Sequence, residues 1–240
     1  MQEINDNYDL GIIGGMGPLA TSFFYDQIIK HTEANKDNGH INIIILNHAS
    51  MISRVEAVND TNKKEIFLSQ IKKDFDILNN LKVKNIAIPC NGSHAFFEEF
   101  INYTDINILN MPKETILNII ENNPKIKRVG LLATDATINS KIYAKEIDKN
   151  NLEIILPNEE TQKLVMSLIY EDIKNTGKLD AEKILFCIKQ LQEKGAEKII
   201  LGCTELSLFK DFDIVKDVCV DALSILVKKS IEITGKNYKD

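Results

Sequence analysis

The stretch DLGIIGGMGPLATSFF, Asp9–Phe24, sets a short apolar run ahead of a glycine-rich turn, with a helix-period pattern behind it. Strand, tight turn and helix in that order open a unit of an α/β sheet. Its segment GMGPLA, Gly15–Ala20, fits the G-x-G-x-x-[GA] dinucleotide fingerprint letter for letter. A dinucleotide site also needs an acid at the end of the second strand, roughly 20 residues on, to bind the ribose hydroxyl. The next apolar run, Ile41–Leu46, ends in Asn47 and His48 instead. NAD is therefore disfavoured. Pro18 can occupy the first position of a helix, so Gly15–Gly17 would present backbone N–H groups at its N-terminus. Such a turn suits any small anion, a carboxylate included, and the plainer alternative is a turn needed only for packing.

Outward from this unit the alternation continues. Strands are expected at Leu10–Gly14, Ile41–Leu46, Ile86–Pro89, Ile106–Leu109, Val129–Ala133, Leu152–Leu156, Lys198–Gly202 and Val218–Val220. Helix-period segments lie between them, at Leu19–Glu33, Glu65–Leu81, Ser140–Lys149, Thr161–Lys174 and Ala181–Lys194. This pattern predicts an α/β protein with doubly wound parallel sheets covered by helices on both faces. The weakly patterned stretch Met111–Lys125 is the best domain boundary. It gives an N-terminal α/β domain over 1–112, a C-terminal α/β domain over 113–215, and a strand and helix over 216–240 packing back on the first domain.

The halves resemble each other. GIIG, Gly11–Gly14, begins one and GLLA, Gly130–Ala133, the other; NIAIPCNGSH, Asn85–His94, is answered by KIILGCTELS, Lys198–Ser207. Each of the latter pair is an apolar strand, a Pro or Gly, a cysteine, a small polar residue and then a helix. Two such units suggest a pseudo-twofold arrangement with a cleft between them. Ligands in such sheets bind beyond the carboxyl ends of the strands, where both cysteines would sit.

The bulk properties narrow the function classes. The 240 residues carry a formal charge of −6, with 44% hydrophobic and 27% charged residues. A nucleic-acid binder is more often basic, so no nucleic-acid partner is expected. No apolar run approaches the roughly 18–20 residues of a membrane span, and the polar start MQEINDNYD has no signal-like apolar region. A cytoplasmic protein without a membrane partner is expected. Cys90, Cys187, Cys203 and Cys219 form neither a disulfide scaffold nor a C-x-x-C pair, and His31, His40, His48 and His94 show no metal-ligand spacing. No metal is expected.

The cysteine pair carries the chemistry. A thiol at a strand end, just before a helix N-terminus, has its thiolate stabilised by exposed N–H groups and the helix dipole. Cys90 is followed by Asn91, Gly92 and Ser93, and Cys203 by Thr204 and Glu205, small polar residues able to cap a helix or bind a substrate. Cys187 in ILFCIKQL and Cys219 in VCV read as core residues. Two thiols facing each other suit inversion of a carbon centre through a carbanion, one as base and the other as acid, with the roles exchangeable. A hydrolase built on one cysteine would need a positioned histidine, for which His94 is the candidate. Arg54, in HASMISRVEA, and Lys174, in LIYEDIKNTGKLD, are candidate anchors for a carboxylate, though each alone reads equally as a surface charge.

These motifs together resemble the aspartate/glutamate racemase family, and within it the aspartate racemase branch. The resemblance runs in order through GIIGGMGPLAT, the Arg54 loop, IPCNGSH, GLLAT, IYEDIK and LGCTEL. It implies a cofactor-independent racemase, two pseudo-symmetric α/β domains, an active site in the interdomain cleft and a homodimer. Cys90 and Cys203 match the family's catalytic pair. Met16, Gly17, Asn91 and Thr204 match positions that contact the α-carboxylate or amino group, with Gly92, Ser93 and Glu205 beside them. Arg54 and Lys174 match groups that bind the side-chain carboxylate, which points to aspartate or glutamate as the small-molecule substrate. Relatives in the same superfamily isomerise maleate, racemise hydantoins or decarboxylate arylmalonates; a non-catalytic small-acid binder is the alternative from another class. The family usually reads P-C-N-T-A-H where this chain has PCNGSH, and P-D-R where it has Ile52-Ser53-Arg54. Losing the threonine hydroxyl would weaken binding by about 0.5–1.5 kcal/mol unless Ser93 or water supplies the bond.

Overall fold

The computed structural model describes residues 7–239; Met1–Asp6, most of the polar start, and Asp240 lie outside the described residues. The chain divides into two compact units. One holds the chain up to Asn110 together with the stretch from Leu226, and the other holds Met111–Ile225.

In the first unit, strands β1 (Leu10–Gly14), β2 (Ile43–Asn47), β3 (Asn85–Ala87) and β4 (Asn107–Ile108) form one sheet in the order β2-β1-β3-β4. Every pairing is parallel, with Gly11 opposite both Ile44 and Ile86. Parallel neighbours need crossover connections, which here run through helices α1 (Pro18–His31), α2 (Arg54–Asn59), α3 (Thr61–Asn80) and α4 (Phe97–Phe100). All five residues of β1 are buried, as expected of a continuous apolar run in a parallel sheet. Helix α3 begins at Asp60, whose side chain accepts a hydrogen bond from the Lys63 N–H. It buries Phe67, Ile71, Phe75 and Leu78. Phe67 and Phe75 meet Phe96, Phe100 and Tyr103 in an aromatic cluster with ring centroids 5.0–6.4 Å apart.

The second unit repeats the plan. Strands β5 (Arg128–Leu132), β6 (Glu153–Ile155), β7 (Lys198–Leu201) and β8 (Cys219–Asp221) lie in the order β6-β5-β7-β8, again all parallel. In each sheet, then, the second strand lies outside the first, followed by the third and fourth. The helices are α5 (Met111–Asn122), α6 (Asp135–Asn139), α7 (Ile142–Lys149), α8 (Glu159–Ser167), α9 (Ala181–Glu193) and α10 (Asp213–Val218). The core packs Leu132, Val165, Leu168, Ile184, Ile188, Leu191 and Ile199 against one another. Two parallel, doubly wound sheets of one topology are the expected α/β class.

Three expectations need correction. Strand β8 pairs with β7, so it completes the second sheet instead of joining the first unit; the unit boundary falls inside the last helix, α11 (Ala222–Ile233). Met111–Asn122 is a helix, because Met111, Thr115, Ile116 and Ile119 share one buried face and Pro112 sits in the first turn, where no N–H is needed. The single helix expected over Thr161–Lys174 changes winding at Leu168, and Leu168–Lys174 is π-helical. Such segments occur often at functional sites.

Candidate active site

The first set of candidate residues gathers at the carboxyl ends of β1, β2 and β3. Packing by itself requires glycine at two positions of the turn. A Cβ on Gly14 would lie 2.6 Å from Thr21 Oγ1. Gly15 has φ +89°, and a Cβ there would lie 2.6 Å from the His48 backbone nitrogen. The Gly15 N–H donates to Thr21 Oγ1 at 2.9 Å, and that hydroxyl donates to the Gly17 carbonyl at 3.0 Å. The expected row of exposed N–H groups over Gly15–Gly17 therefore loses its first member to Thr21. Gly17 is different: it precedes Pro18 at the start of α1 with φ −106°, and a Cβ there would meet nothing within 4 Å.

Arg54 is the first residue of α2, and its guanidinium turns back over the same turn. Nη2 donates to the Met16 carbonyl and Nη1 to the Ile52 carbonyl, both at 3.3 Å. Two residues expected in the site from separate motifs, Met16 and Arg54, are thus in contact. At the end of β2, His48 Nδ1 lies 3.0 Å from Asp74 Oδ2 on α3. Burial pushes the Asp74 carboxyl up, while the imidazole beside it pulls the other way. The pair is not legible in the sequence, since 26 residues separate the two and neither sits in a spacing motif.

Cys90 follows β3 as a buried thiol, and the segment after it, Asn91–Phe96, is a 3-10 helix. The Ser93 hydroxyl donates to the Cys90 carbonyl at 2.7 Å, and His94 Nδ1 lies 2.9 Å from the same oxygen. Both side chains therefore clamp the main chain of Cys90. The Ser93 hydroxyl proton is committed to that carbonyl, and His94 addresses the carbonyl of Cys90 instead of its sulfur. Burial also pushes the His94 imidazole below its ordinary value. The one-cysteine hydrolase reading loses its base. Asn91 is buried and Gly92 half-buried beside the thiol.

In the second unit Cys203 follows β7, buried like its counterpart. The chain continues through a turn into a 3-10 helix of only four residues, Leu206–Phe209, so the expected α-helical N-terminus is absent here. The thiol donates to Glu205 Oε2 at 2.9 Å, and the Thr204 hydroxyl reaches the same oxygen at 3.3 Å. Lys174, the last residue of the π-helical segment, places Nζ 3.3 Å from Glu205 Oε1 and 4.7 Å from the centre of the Tyr170 ring. Burial and the Glu205 carboxylate push the Cys203 thiol well up, and the Lys174 ammonium draws it partly back. The expected stabilisation of a thiolate is opposed here by burial and by the Glu205 carboxylate. The structure also gives Glu205 a partner that spacing could not reveal: the cysteine two residues before it.

The other cysteines behave as core. Cys187 on α9 is fully buried and its thiol is pushed up to about 11; Cys219 on β8 packs against the same core and is pushed up to about 12, both by burial. Among the described residues no group of three or more His, Cys, Asp or Glu side chains could hold a metal ion, and no helix is long and apolar enough to cross a membrane.

Known proteins share this plan. The family model for Asp/Glu/Hydantoin racemase matches residues 13–229. The broad specificity amino-acid racemase RacX of Bacillus subtilis is 28% identical over 228 residues, covering 92% of this chain and 96% of that protein. The solved structure of Picrophilus torridus aspartate racemase superposes with a TM-score of 0.83 at 28% identity, covering 97% of this chain and 96% of that one. An aspartate racemase homologue from Pyrococcus horikoshii shares the fold at 24% identity and a TM-score of 0.77, over 95% and 99% of the two chains. The chain belongs to the Asp/Glu/Hydantoin racemase family and is an isomerase of that family.

Proposed function

We propose that this isomerase racemises an acidic amino acid, aspartate first and glutamate second, without pyridoxal phosphate or metal, using Cys90 and Cys203 as its two acid–base groups. The observation that carries the reading is positional. Each cysteine is buried just beyond the third strand of its unit, in sheets of identical strand order. Racemisation then needs only proton transfers. A thiolate takes the α-proton, so a C–H bond breaks and an S–H bond forms, and the carbanion's charge spreads into the α-carboxylate. A thiol on the opposite face donates its proton to the α-carbon, forming the inverted C–H bond and leaving a thiolate. Cys203, whose thiol is pushed up by burial and donates to Glu205, enters as the acid and Cys90 as the base, and one turnover exchanges the roles.

Arg54 and Lys174 are assigned to the side-chain carboxylate, and Met16–Gly17, Asn91, Gly92 and Thr204 to the α-carboxylate and amino group. Ser93 is assigned to holding the Cys90 backbone, and Glu205 to the Cys203 thiol. Family resemblance, net charge and free cysteines favour a cytoplasmic homodimer, which light scattering and fractionation would test.

The test is incubation of the purified protein with L-aspartate or L-glutamate in D₂O and reducing buffer, adding no cofactor. The expected result is α-deuterium incorporation together with the D-enantiomer. No exchange with either substrate refutes the reading. Conversion of maleate to fumarate in its place assigns the protein to the isomerase relatives, and binding without turnover makes it a regulatory binder.

A further inference from the structure

The Lys174–Glu205–Cys203 chain is more than a set of adjacent polar groups. We propose that Lys174 and Glu205 form a relay that ties occupation of Lys174 by a substrate's side-chain carboxylate to the protonation state of Cys203. The inference deepens the proposed function, since it takes Lys174 as the group that meets that carboxylate.

Geometry supplies each link. A sulfur and a carboxylate oxygen 2.9 Å apart need a proton between them, because a thiolate and a carboxylate at that distance would repel. Glu205 is 9% exposed, so water screens its charge little and its neighbours decide where that charge acts. Its second oxygen is held by Lys174, whose side chain is 30% exposed at the end of a π-helical segment. The lysine is therefore buried enough to matter to Glu205 and open enough to meet a ligand. From α7, Tyr143 also senses Cys203, and burial pushes its phenol up and keeps it neutral. Glu205 and Lys174 are thus the charged pair that governs the thiol.

A carboxylate arriving at Lys174 divides the ammonium's charge between itself and Glu205. The less compensated Glu205 then holds the Cys203 proton more firmly. A carboxylate at Lys174 thereby raises the pH at which Cys203 gives up its proton, whereas an amino acid lacking the second carboxylate leaves the lysine on Glu205. Glu205 is a positioning residue in this scheme, acting through the thiol.

The test is the pH profile of Cys203 alkylation by iodoacetamide, read on the Cys203 peptide by mass spectrometry in the full-length protein. This readout needs no turnover. Glu205→Gln should lower the midpoint by about one pH unit or more. Lys174→Met should raise it, and that rise should shrink at least by half in the double variant. Saturating succinate should raise the wild-type midpoint and leave that of Lys174→Met unmoved; simple blockage would instead slow alkylation at every pH. An unchanged midpoint in Glu205→Gln, or equal Lys174→Met shifts in both backgrounds, overturns the relay. If Glu205→Gln fails to fold by circular dichroism, Lys174→Met with and without succinate still decides. Succinate that binds by calorimetry without moving the midpoint overturns the relay alone. Succinate that does not bind overturns the acidic-substrate reading and the relay together. Shifted midpoints in a protein that shows no α-deuterium exchange sink the racemase reading and leave the relay standing.

Discussion

Replacing Gly15 with alanine, set against the same change at Gly17, separates the packed from the open half of the glycine turn. Gly15 sits at φ +89°, and an added methyl would lie 2.6 Å from the His48 nitrogen and 2.7 Å from the Ala49 nitrogen. Both are main-chain atoms of the segment leaving β2, so no rotamer change can relieve the contact. The left-handed conformation costs an L-residue about 1–2 kcal/mol, and forcing a methyl into packed structure costs about 1–3 kcal/mol more. The sum, about 2–5 kcal/mol, is a large share of the 5–15 kcal/mol that typically holds a domain together. Gly17→Ala meets open space at an ordinary φ, so its stability cost is the loss of a tolerated helix-cap residue, at most about 1 kcal/mol. Urea unfolding followed by circular dichroism gives the two midpoints, and hydrogen exchange over Leu10–His31 localises the loss. The expected outcome is a much lower midpoint and faster exchange for Gly15→Ala, with near-normal values for Gly17→Ala. A Gly15→Ala protein as stable as wild type, or equal losses at both positions, would refute the packing argument.

Burial lowers the His94 value below the ordinary 6.5, so the unfolded chain binds a proton there that the folded protein does not. The contribution is whole above about pH 6.5 and is lost as pH falls, at up to about 1.4 kcal/mol per unit; His94→Asn should flatten the slope of urea stability between about pH 6.5 and 5.5, and an unchanged slope contradicts the assignment. Phe100, fully buried between Phe67 and Phe75, should cost about 3–5 kcal/mol on truncation to alanine and under about 1.5 kcal/mol on change to leucine, measured by urea midpoints. Equal losses for the two variants would show that the aromatic cluster is not packed as described.

Much of the fold was legible because each strand is a brief apolar run punctuated by Gly, Pro or polar residues. Leu10–Gly14 matches β1 to the residue, and the other seven expected strands fall within a few residues of β2–β8. What escaped had physical reasons. Helix α5 was hidden because Pro112 and the polar residues between Met111 and Ile119 dilute a stripe that depends partly on Thr115, a residue that does not register as apolar. The pairing of β8 with β7 depends on sheet register, which a three-residue run cannot encode by itself. Among the candidate residues, the two cysteines, Arg54, Lys174 and the glycine turn were all visible as motifs. Their side-chain partners were not. The Ser93 and His94 bonds to the Cys90 carbonyl, the Asp74 partner of His48 and the Glu205 bond to Cys203 are set by local backbone geometry and tertiary packing. The largest consequence concerns Cys203: helix-dipole reasoning anticipated a stabilised thiolate, whereas burial and an adjacent carboxylate push the thiol up.

The two-cysteine mechanism is tested most directly by chiral chromatography of L-aspartate incubated with wild type, Cys90→Ala and Cys203→Ala, the variants' folds first checked by circular dichroism. Wild type should bring the amino acid to equal amounts of the two enantiomers. Each variant should lose at least about 10²-fold in rate, the scale of a positioned acid or base. Either variant racemising at the wild-type rate would contradict the two-base assignment.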